Sequence, residues 1–87
     1  MQGDHMSITG RQIRGARSML GKTQKEIATA AGVSEPTIKR LEGQDEELSG
    51  HTSTIAAVQR ALESAGVIFI AGNGEGPGVR LRKDRQE

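Results

Sequence analysis

Seven basic side chains, Arg11, Arg14, Arg17, Lys22, Lys25, Lys39 and Arg40, fall between residues 8 and 43, against three acids, Glu26, Glu35 and Glu42. Guanidinium and ammonium groups gathered in one segment do one kind of chemistry well: they neutralise the phosphates of a polyanion and release its counterions. Because the whole chain carries a formal charge of only +1, the signal lies in the distribution rather than the sum. Residues 8–43 are +4, residues 44–75 are −4, and residues 76–87 hold four bases and two acids. Catalytic chemistry finds no comparable material. There is no cysteine for a disulfide framework or a thiolate metal site, and His5 and His51 stand alone. Nor do the residues supply paired carboxylates or a nucleophile with its base, so the expectation is no enzyme, no metal and no cofactor. Gly72, Asn73 and Gly74 hint at a phosphate-cradling loop, but such loops lead from a strand into a helix, and here a strand pattern follows. One aromatic residue, Phe69, leaves little on which unpaired bases could stack.

The elements that must position these bases centre on Thr23 to Gly43. Thr23 stands three residues before Glu26, the spacing of a capping box, and the helix it opens runs to about Ala31. Gly32 takes the sharp turn, since a residue without Cβ enters left-handed backbone space freely. Val33 follows as a buried plug, Ser34 caps the next helix, Pro36 is tolerated in its first turn, and Val33 and Ile38 have the spacing of a hydrophobic staple. Ile27, Ala28 and Ala31 on one helix face Ile38 and Leu41 on the other. Ala28 sits where the helices come closest and must be small. Two capped helices a tight turn apart read as a helix-turn-helix.

In Thr23, Gln24, Glu26, Ile27, Ala28, Ala31, Gly32, Val33, Ser34, Thr37, Ile38, Leu41 and Glu42 the chain resembles the lambda-repressor and Cro-like helix-turn-helix regulators, also called the xenobiotic-response-element family. That resemblance implies a mainly α fold: a four-helix lambda-repressor-like DNA-binding domain followed here by a C-terminal β-hairpin. It also implies a sequence-specific transcriptional regulator of double-stranded DNA whose third helix, residues 35–42, enters the major groove. Carried over from the family, Glu35, Pro36, Lys39 and Arg40 face bases, with Arg40 suited to guanine and Glu35 to cytosine. Arg14, Arg17, Thr23, Gln24, Lys25 and Thr37 face phosphate, and Ala28, Gly32, Val33, Ile38, Leu41 and Glu42 build the motif. In similar regulators an arginine at the place of Arg17 pairs with the glutamate closing the third helix, here Glu42; the alternative is that Arg17 snorkels into water. The connector after Gly43 departs from the family pattern, carrying Asp45, Glu46 and Glu47 where relatives carry lysine or arginine. Acids there should turn the loop from DNA or weaken non-specific affinity.

The rest of the chain completes this plan. MQGDHM, residues 1–6, reads as a cloning remnant and N-terminal arm before a native start at Met6. Residues 7–66 form the DNA-binding domain. Thr9 and Gln12 make a capping box opening the first helix, with Ile13, Ala16 and Leu20 inward, and no reason is visible for Gly15 within it. Thr52 or Ser53 caps the fourth helix, where Ile55, Val58, Ala61 or Leu62, and Ala65 recur until Gly66 stops it, and Gln59, Arg60 and Glu63 lie on its wet side. VIFI at 67–70 and VRLR at 79–82 read as a hairpin over residues 67–82, and 83–87 as a frayed tail. Two such strands lack cover on both faces. The expectation is therefore a homodimer on a palindromic operator, joined through the hairpins and burying Phe69 with Ile68 or Ile70; the rival is a hairpin folded onto its own bundle. No apolar run is long enough to span a membrane and no secretory signal is visible, so a cytoplasmic protein is expected. The competing function is an antitoxin-like or other module that holds a partner protein through the same domain.

Overall fold

The computed structural model describes residues 8–45, 48, 50 and 52–83. The remnant and arm at 1–6, the connector residues Glu46 and Glu47, His51 and the tail residues 84–87 lie outside the described residues. Four helices, α1 (Gly10–Leu20), α2 (Gln24–Ala31), α3 (Glu35–Glu42) and α4 (Thr52–Ser64), precede two antiparallel strands, β1 (Val67–Ile70) and β2 (Gly78–Leu81).

Each of the first three helices begins where a side-chain oxygen can take over an orphan amide. Thr9 and Gln12 cap α1 reciprocally, Thr23 and Glu26 do the same for α2, and Ser34 Oγ accepts from the Thr37 amide at the start of α3. Gly21 and Gly32 end α1 and α2 at φ 69° and 75°, the left-handed region that side chains other than glycine enter at a cost. The turn between α2 and α3 is consequently three residues long. Val33 is partly buried against the core rather than fully enclosed. The start of α4 differs from expectation. Thr52 is already helical, so neither Thr52 nor Ser53 is the cap, and the preceding position lies outside the described residues.

One aliphatic core joins Ile8, Ile13, Ala16, Ile27, Ala28, Ile38, Leu41, Val58 and Leu62. Ala28 is 3% exposed between α2 and α3, and a larger side chain there would overpack the contact at about 1–3 kcal/mol. The hairpin belongs to this core. Val67 and Phe69 point inward from β1 and are buried, while Val79 and Leu81 pack beside them from β2. The expectation that Phe69 is buried between two hairpins is corrected accordingly, because Phe69 already belongs to its own chain's core, with a face of the hairpin folded onto the bundle. Ile70, paired with Gly78, remains exposed, and Ile68, paired with Arg80, is half-buried. β2 begins one residue before the expected VRLR stretch, and the Arg82 amide extends the ladder by donating to the Gly66 carbonyl at 2.8 Å.

Two features of α1 fix this docking. The Gln12 side chain, 3% exposed, accepts from the Thr9 amide at 2.8 Å through Oε1 and donates through Nε2 to the carbonyls of Ile70 (3.2 Å) and Gly78 (3.0 Å). Gly15 faces β2, where an added Cβ would lie 3.4 Å from Val79 Cγ2. A third feature holds α1 to the segment after α3. The Gly10 amide donates to the Gln44 carbonyl at 2.9 Å, and an added Cβ there would come within 2.1 and 2.3 Å of the Gln44 and Leu41 carbonyl oxygens. Only glycine permits so close a backbone approach.

Candidate nucleic-acid interface

The side chain that organises the basic segment is an acid. Glu42, the last residue of α3, is 3% exposed and its carboxylate accepts three hydrogen bonds. Arg17 of α1 grips it through Nε at 2.7 Å and Nη2 at 2.9 Å, and Gln24 Nε2, from the first residue of α2, adds a bond of 3.0 Å. A planar guanidinium matches both carboxylate oxygens, which makes such a pair stronger than a neutral hydrogen bond. Arg17 does not snorkel. Its third nitrogen, Nη1, donates to the Lys22 carbonyl at 3.1 Å, so the whole fork is engaged. The Glu42 partnership raises the Arg17 pKa above the ordinary arginine value. One carboxylate thus ties the end of α3 to the last turn of α1 and the start of α2.

Arg14, one turn earlier on α1, donates through Nη1 to the main-chain carbonyl of Glu42 and through Nη2 to Asp45 Oδ1 at 3.4 Å. Asp45 also lies 3.5 Å from Arg11 Nε. These cations draw the Asp45 carboxyl below its ordinary pKa, the hydrogen bond from Arg11 being the largest cause. Glu26 is lowered as well, chiefly because its carboxylate accepts from the Thr23 amide in the capping box.

The residues expected to face phosphate therefore divide. Arg14, Arg17 and Gln24 have side-chain donors committed to Glu42 or Asp45, and Thr23 is committed to its cap. Thr37 is half-buried and its hydroxyl shares a 2.8 Å hydrogen bond with that of Ser34. Lys25 is exposed. Of the residues expected to face bases, Pro36, Lys39 and Arg40 are exposed and Glu35 is half-buried. Pairs Glu35/Lys39 and Pro36/Arg40 each stand four residues apart, side by side on α3, while Ile38 and Leu41 are buried on its other side. The Arg40 guanidinium lies beside Gly50, where an added Cβ would stand 3.5 Å from Nη1. Sequence reasoning missed Gly10 and the hairpin contact of Gln12. Gln12 carried one usable signal, an amide rather than a carboxylate in the capping position, which leaves two N–H donors seeking acceptors.

Among the described residues no three His, Asp or Glu side chains gather as a metal site. No helix among them is long and apolar enough to cross a membrane. Comparison with protein-family models and with curated proteins finds no match to this chain.

Proposed function

We propose that this chain is a sequence-specific regulator that binds double-stranded DNA, with α3 in the major groove and the start of α2 against the backbone. The observation that carries the reading is the Glu42 node: the Arg17 and Gln24 bonds to its carboxylate hold α1 and the start of α2 at the end of α3, leaving Pro36, Lys39 and Arg40 outward. A groove-reading helix needs such a rigid seat, because a base contact is worth its energy only in one geometry. Capping satisfies the Thr23 and Glu26 amides, so the Gln24 and Lys25 amides are the first-turn donors left for a phosphate, with the helix dipole behind them. Selection of bound duplexes from a random pool, followed by binding measured across salt, tests this. Enrichment of one motif and a steep fall of affinity with salt are expected, and a flat salt response would refute it.

The operator is palindromic and the protein dimeric, since one such unit reads only a few base pairs. Ile70 is exposed on the hairpin and Ile68 half-buried beside it, the patch best suited to a second copy. Because Val67 and Phe69 belong to the core, removing the hairpin would unfold the chain, so the test is Ile70→Lys with mass read by sedimentation equilibrium. A wild-type chain that is monomeric at tens of micromolar, or a variant that still dimerises, would reject the interface. The rival role, capture of a partner protein in the manner of an antitoxin, loses ground if the purified chain alone selects one duplex sequence.

A further inference from the structure

We propose that Asp45 is an internal stand-in for DNA phosphate, holding Arg11 and Arg14 and so lowering sequence-independent affinity; this rests on the duplex-binding reading above. Arg11 and Arg14 lie three residues apart on α1, close enough to act together. Between them sits a single oxygen, Asp45 Oδ1, 3.5 Å from Arg11 Nε and 3.4 Å from Arg14 Nη2. One anionic oxygen shared by two guanidiniums is the arrangement a phosphate oxygen would take. Arg14 is also anchored by its bond to the Glu42 carbonyl, so its fork stands at the end of α3, beside the helix proposed to enter the groove.

The fold does not account for this acid. The Arg11, Arg14 and Asp45 side chains are 69%, 42% and 57% exposed, and exposed pairs of this kind contribute little to folding. Their consequence is on the surface field. A backbone phosphate approaching the two arginines must displace the carboxylate and then lie beside its charge. Asp45 is ionised at neutral pH as any exposed aspartate is, so the competitor is charged there, and the same two cations lower its pKa further.

The test compares the full-length chain with Asp45→Asn by fluorescence anisotropy on a labelled duplex of scrambled sequence, across a salt titration, with circular dichroism confirming that both are folded. Removing one charge about 4 Å from a phosphate should tighten binding roughly five-fold at low salt. Freeing two arginines should steepen the slope of log affinity against log salt by about 1 to 2. Adding Arg11→Gln to Asp45→Asn should remove most of the gain. Glu75→Gln, which makes the same change in net charge on the exposed hairpin loop, should give less than half of it. If wild type shows a steep slope and Asp45→Asn leaves affinity and slope unchanged, or Glu75→Gln matches it, the inference falls while duplex binding stands. A flat wild-type response removes duplex binding itself, and the inference with it.

Discussion

Replacing Arg17 with Met should cost more stability than any other single loss of a surface-reaching charge in this chain. The Glu42 side chain is 4% exposed, and without the guanidinium its carboxylate keeps the Gln24 amide but no cation of its own. Breaking a buried ion pair by removing one partner costs about 3–5 kcal/mol, and the lower end applies here because the Arg17 side chain is itself 23% exposed, so water can follow. Against a total stability of about 5–10 kcal/mol for a domain of this size, Arg17→Met leaves a marginal fold. Glu42→Gln should cost less, about 1–2 kcal/mol, because the orphaned guanidinium still bonds Lys22 and reaches solvent. In the double variant the uncompensated carboxylate is gone, so the two losses should overlap by about 1.5 kcal/mol or more. Urea unfolding followed by circular dichroism is the assay, since the chain has no Trp or Tyr to report by fluorescence. Effects that add to within about 0.5 kcal/mol would mean that Arg17 and Glu42 act independently, and the node would not be the seat of α3.

Two glycines of α1 should respond oppositely. Gly10→Ala drives a methyl into two backbone carbonyls that cannot rotate away, and should lower stability by at least about 2 kcal/mol in the same assay. Gly15→Ala meets Val79 at ordinary contact distance and should gain up to about 1 kcal/mol of helix propensity. Gln12→Glu keeps the acceptor for the Thr9 amide but aims a carboxylate at the carbonyls of Ile70 and Gly78; a loss of about 2–4 kcal/mol is expected, with earlier hydrogen exchange in the hairpin than in the helices. Glu26 and Asp45 both titrate lower in the folded chain, so the unfolded chain binds more protons in acid; stability should be full above the unfolded carboxylate pKa of about 4 and fall as pH drops through the lowered values, as pH-dependent thermal melts would read. Arg40→Ala should relax preference at one base pair of the selected site and cost about 1–3 kcal/mol in binding, whereas a uniform loss across sequences would move Arg40 to the backbone-facing set.

The helical part of this chain was legible because its signals are local. Thr9 with Gln12, Thr23 with Glu26, Ser34 and Gly32 act over three or four residues, and each governs a helix end in the structure. The partner of Arg17 came from family resemblance rather than from spacing, since 25 residues separate it from Glu42. The hairpin was legible as an element but not in its docking. All four residues of VIFI are apolar, so the period-two alternation that would have told the inward Val67 and Phe69 from Ile68 and Ile70 is absent from the composition and visible only in the burial. Segment charges likewise hid a pairing. Asp45 counts toward the acidic half of the sequence, yet both of its cations come from the basic half, because the loop after α3 returns beside the start of α1.

The Gln12 amide bonds carbonyls 58 and 66 residues further along the chain, and this sets an order in time as well as in space. Contacts among the helices close short loops, whereas the hairpin can seat only against an α1 that already presents its amide, with the longest loops in the molecule still to be closed. During synthesis α1 to α4 leave the ribosome first, with the places of Val67 and Phe69 still empty. The hairpin therefore completes a core that the first helix began, and a nascent chain halted before Val67 exposes that vacancy to chaperones and proteases.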